Sequence, residues 1–132
     1  MASLAAIRDR SYRLRLAGLR REIADLMRQF PAAEVWLFGS LARGDWDGFS
    51  DVDLLAIALT ASQANNLADA LLGNGIADDV IALTQADWQC FRNSTDPYWR
   101  SIGNDAFRLD QPLLHELKLG CVKRKVMWLW PS

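Results

Sequence analysis

Residues 37–56 read LFGSLARGDWDGFSDVDLLA, and the order of residue types in this stretch decides the fold. The apolar run 34–38 (EVWLF) is rich in strand formers and stops at Gly39-Ser40, as a buried strand feeding a turn does. Ser40 to Arg43 can start a short helix that Gly44 closes. Residues 45–50 (DWDGFS) have loop composition, and residues 51–58 (DVDLLAIA) are expected to form a second strand.

This stretch also carries the chemistry. Asp51 and Asp53 are one residue apart on the expected strand, and a period of two puts both carboxylates on one face, close enough to share a cation. Oxygen ligands at that spacing suit magnesium, which keeps waters and is completed by substrate phosphates. An isolated D-x-D also occurs as a plain turn or capping pair. What changes its meaning is Gly39-Ser40, twelve positions upstream of Asp51 at a strand-to-helix junction. A glycine lets backbone approach phosphate, helix-start N–H groups donate to it, and the Ser40 hydroxyl can add a further hydrogen bond. Arg43, one turn on, can pair with triphosphate oxygens or serve as a surface arginine capping carbonyls.

Working outward, Leu16, Leu19, Ile23, Leu26, Met27 and Phe30 recur at helical spacing, which predicts an amphipathic helix ending before Pro31 with a basic polar face. That face is a solvated arginine surface or a partner- or phosphate-binding one. Leu67, Ala68, Leu71 and Leu72 predict a crossover helix over 61–72, stopped by Gly73-Asn74-Gly75. Residues 79–83 (DVIAL) read as a third strand, and Thr84 as the N-cap of a helix that breaks near 93–97. Residues 98–109 resemble a closing helix and strand. Alternating helices and strands of these lengths define an α/β (α+β) domain with a small mixed sheet flanked by helices. Trp36, Trp88 and Trp99 are expected in its core.

At 132 residues and 51% hydrophobic content, the chain has room for one compact core. It shows no long apolar run and no secretory signal, so a cytoplasmic location and no membrane contact are expected. Cys90 and Cys121 fit no zinc or disulfide pattern and read as free thiols. Charge is segregated: residues 1–30 carry seven arginines against three acids, whereas residues 31–112 carry twelve acids against four arginines. So acidic a middle repels nucleic-acid phosphates and favours divalent metal, and no direct nucleic-acid binding is expected. All three lysines (Lys118, Lys123, Lys125) fall in the last twenty residues. Residues 1–111 are therefore read as the domain, and 112–132 as a basic tail that is natural, disordered or a non-native end. His115, the one histidine, lies in that tail and builds no histidine-based site.

The run from Leu37 to Ala56 resembles the signature of the minimal nucleotidyltransferases of the DNA polymerase β-like superfamily: a hydrophobic strand, G-S, ten residues, then D-x-D and an apolar strand. Arg43-Gly44 and Ser50-Asp51 are dipeptides that such proteins often carry. The resemblance implies a third carboxylate on a neighbouring strand, before an apolar run. Asp79 is assigned that place, with Asp78 as the alternative on the opposite face; the unused one is expected to face solvent. It further implies two magnesium ions held by Asp51, Asp53 and Asp79, and ATP held through Gly39, Ser40 and Arg43. Asp79 would help take the acceptor proton. Trp46 and Phe49 could stack on the base or pack locally.

The chain has little length left over for an acceptor domain. The resemblance then favours the antitoxin type, paired with a separate helical HEPN ribonuclease toxin and transferring AMP from ATP to a tyrosine of that partner. Two alternatives stay open. One is a small-molecule (antibiotic) nucleotidyltransferase working as a homo-oligomer with a shared pocket, and the other is a non-catalytic antitoxin that neutralises its partner by contact through the basic helix.

Overall fold

The computed structural model describes residues 3–44 and 51–110. Trp46, Phe49, Cys121, His115 and the whole 112–132 tail lie outside the described residues, as do the expectations attached to them. The elements run α1 (Leu4–Leu26), a 3-10 turn (Met27–Gln29), β1 (Glu34–Phe38), α2 (Gly39–Arg43), β2 (Asp53–Ala58), α3 (Ala61–Gly73), β3 (Asp79–Thr84), α4 (Gln85–Arg92), α5 (Pro97–Asp105) and β4 (Phe107–Arg108). The mixed α/β architecture is the expected one.

The strands form one sheet in the order β3-β2-β1-β4. β1 is antiparallel to β2 and to β4, while β2 and β3, joined through α3, are parallel. Both faces are covered, which is why β2 reads as an unbroken apolar run rather than an alternating one. On one face Val35, Leu37, Leu54 and Ala56 meet Leu16, Leu19, Ile23 and Leu26 of α1 and Leu67 and Leu71 of α3. On the other face Phe38, Leu55 and Ile57 meet Trp88 of α4 and Ile102 of α5, with Trp36 and Trp99 packed beside them.

Two expected boundaries move. The first helix starts at Leu4, capped by the Ser3 side chain, and its α-helical part ends at Leu26. Its first three turns bury little, so the apolar periodicity that marks the second half is missing from the first. The second strand begins at Asp53 rather than Asp51, because the backbone of Val52 is engaged by the 78–79 turn instead of a strand partner. The Val52 carbonyl accepts from the N–H groups of Asp78 and Asp79, and the Val52 N–H donates to Asp78 Oδ2 at 2.8 Å.

Candidate active site

The ends of three elements converge at one corner of the sheet. β1 finishes at Phe38, opposite Asp53 in the antiparallel register, and Asp53 is in turn paired with Asp79 across the parallel one. The chain turns into α2 at Gly39, whose φ of +80° lies in the left-handed region that favours glycine. A methyl group built on Gly39 would sit 2.5 Å from Asp53 Oδ2, so the missing side chain leaves the room that the carboxylate occupies. The glycine is therefore required both by its backbone angle and by the acid beside it. Gly39 and Ser40 are the first two residues of α2, where backbone N–H groups have no partner within the helix. Gly44 closes α2 at φ +83°, as expected.

Asp53 is partly buried, and burial pushes its carboxyl above the usual carboxylate range; the negative charges of Asp79, Asp51 and Asp78 push it further the same way. Asp53 and Asp79 fall on the same face of the sheet by register, the face of Leu55, Ile57, Ile81 and Leu83. Asp51 precedes β2, so its approach to Asp53 comes from the turn and not from strand periodicity. Asp78 and Asp79 are both exposed, so exposure does not separate the two candidates; Asp78 Oδ2 accepts from the Val52 N–H and holds the segment before Asp53 in place. Among the described residues, no three His, Cys, Asp or Glu side chains close into a metal-holding group on their own. Magnesium does not ask for such a cage: it binds through one or two carboxylates and draws its remaining ligands from water and phosphate. A hard-oxygen donor set whose members repel one another fits a divalent cation.

The structure also places residues that the sequence left out of the site. Tyr12 of α1 donates its hydroxyl to the Leu41 carbonyl at 2.8 Å and so ties α2 to the first helix. Burial raises the Tyr12 phenol above its ordinary range, with Arg20 acting in the opposite direction. Tyr12 stands four residues before Leu16 on the buried stripe, the one sequence signal that could have drawn attention to it. Arg43 lies against α5, with Nη1 3.6 Å from Asp105 Oδ2. The sequence left Arg43 between the triphosphate and a surface role, and in this conformation its guanidinium pairs with α5. Cys90 is a free, exposed thiol on α4, away from these residues in the chain.

Residues 19–78 match the family model of the nucleotidyltransferase domain, a span just under half of the chain that includes β1, α2, β2 and α3 and ends at Asp78, one residue before Asp79. Among solved structures, the chain is similar to one described as the crystal structure of a toxin-antitoxin with AMP-PNP, at 19% identity over 76% of this chain and 78% of that one, with a TM-score of 0.44. No curated protein matches the chain. None of the described helices is long and apolar enough to cross a membrane.

Proposed function

We propose that this chain is a magnesium-dependent nucleotidyltransferase that moves AMP from ATP to a hydroxyl on a separate protein, a tyrosine of a helical HEPN ribonuclease toxin, and thereby acts as its antitoxin. The observation that carries the catalytic part is the registered pair Asp53–Asp79 with Gly39 cut back to accommodate the Asp53 carboxylate. The nucleotidyltransferase-domain match over 19–78 supports the part of this reading that rests on Gly39 and Asp53.

Asp51 and Asp53 would hold the cation, which when bound neutralises the triphosphate and makes the acceptor hydroxyl more acidic. The Gly39-Ser40 turn would bring backbone N–H groups and the Ser40 hydroxyl to the β- and γ-phosphates. The Asp79 carboxylate takes the hydroxyl proton as the acceptor oxygen bonds to the α-phosphorus. The α–β anhydride bond breaks in line, and pyrophosphate leaves.

Incubation with magnesium, α-labelled ATP and candidate acceptors tests the reading. Label on a partner toxin is the expected result, and Asp53→Ala should abolish it. Label on an aminoglycoside-like small molecule would replace the protein acceptor. Labelling by Asp53→Ala at the parent rate would refute the catalytic assignment, and binding that silences a partner without any label would make the chain a contact antitoxin.

A further inference from the structure

α1 spans 23 residues, roughly 35 Å of helix at 1.5 Å per residue. One stripe, Tyr12, Leu16, Leu19, Ile23 and Leu26, faces the core. A second stripe lies about a third of a turn away, at 100° per residue. It contains Leu4, Ile7 and Leu14, which are 85%, 51% and 63% exposed, half of the large hydrophobic side chains left in solvent among the described residues. Ser11 and Gly18 continue the stripe in the alternating three-and-four spacing of a helix-packing seam, and Gly18 has open space around it for close backbone approach. Arg8 and Arg15 border the seam on one side, where Glu22 follows at the same spacing, and Arg10 and Arg21 border it on the other. At its C-terminal end the seam opens into a groove of about 420 Å³ whose lining includes Leu14, Arg15, Gly18 and Arg21, with Glu22 and Asp78 at its far side.

We infer that this outer face of α1 docks an amphipathic helix of a partner protein whose apolar stripe is flanked by carboxylates. The inference rests on the reading that the acceptor arrives on a separate protein. Charge selects this occupant over the others. The tail of this chain carries Lys118, Lys123, Arg124 and Lys125 against Glu116, the same sign as the seam. A second copy's α1 would set arginine against arginine. An anionic membrane would find only three apolar side chains, interrupted by Ser11 and Gly18, with no aromatic anchor among them.

The test uses the full chain without nucleotide and two labelled synthetic helices of identical apolar seam, one flanked by glutamate and one by lysine, read by fluorescence anisotropy. The glutamate helix should bind at least about tenfold tighter, with an affinity that falls as salt rises. Leu14→Glu should weaken it by about tenfold or more, and Arg10→Glu with Arg21→Glu should reverse the preference. All three positions are exposed, so melting curves should match the parent's. Equal binding of both helices, or binding that survives Leu14→Glu, overturns the inference. So does seam-dependent self-association in the ultracentrifuge, or seam-dependent binding to phosphatidylserine vesicles, in place of helix binding. Because nucleotide is absent, a chain that binds the helix but transfers no AMP refutes only the catalytic reading.

Discussion

Gly39→Ala carries two costs that can be measured apart. The first is conformational: an alanine at φ +80° costs about 1–2 kcal/mol, and Gly75, at φ +71° with no described atom near its missing Cβ, supplies a matched control. For a domain of this size each substitution should lower the melting temperature by about 3–10 °C. The second cost belongs to Gly39 alone. Its new methyl would lie 2.5 Å from Asp53 Oδ2, where ordinary contact begins near 3.4 Å, so the carboxylate must withdraw by about 1 Å. Displacing a metal-binding group on that scale weakens affinity by about 10–100-fold. Magnesium–ATP at a hundred times the parent Kd stabilises the parent by about 2.7 kcal/mol, and a hundredfold weaker site would keep only about 0.4 kcal/mol. Thermal-shift titrations of the three proteins give the answer. The expected pattern is similar loss of intrinsic stability in both variants, with the ligand-induced gain kept by Gly75→Ala and nearly lost by Gly39→Ala. A Gly39→Ala protein that retains the full gain would show that the turn does not position Asp53 for the ligand.

Asp53→Asn should raise the melting temperature of the ligand-free protein at neutral pH while abolishing the magnesium–ATP gain. Strands lie about 4.8 Å apart, and with Asp79 exposed the screened repulsion relieved is about 1 kcal/mol. The sign of the pH dependence follows. A carboxyl raised in the folded state contributes stability that is present below its unfolded pKa and lost as pH rises through the folded value. Lowering the pH from neutral toward the ordinary carboxylate range should therefore narrow the difference between parent and Asp53→Asn, and a constant difference across a series of melts would contradict the assignment. Asp110→Ala removes the acceptor of the Val35 N–H and the partner of Arg108, whose Nη2 lies 2.6 Å from Asp110 Oδ2. Chemical denaturation should show a loss of about 2–3 kcal/mol with nucleotide binding retained, since this lock sits at the β1–β4 edge and not at the carboxylates.

The parts of this fold that were legible in the sequence are those whose cause is local. β1, β3 and the body of β2 are short apolar runs closed by turns, and two-sided burial makes such runs conspicuous. Thr84 caps α4 through its own side chain, a contact three residues long. The Gly39 turn was readable because its positive φ and the Asp53 carboxylate beside it leave room for glycine alone. What escaped depends on distant partners. β2 starts two residues late because Val52 is bonded to a turn 26 residues away, and nothing between 51 and 58 encodes that. Arg43 is turned to Asp105, and Tyr12 reaches the Leu41 carbonyl, for the same reason. The first half of α1 was missed on different grounds: its apolar residues follow a second stripe, offset from the one that packs on the sheet. A helix whose two halves face different neighbours has no single amphipathic period, so a pattern that looks weak by one stripe is coherent when read as two. The second stripe has no counterpart within the described domain, and on the proposed reading its complement lies on the protein that supplies the hydroxyl.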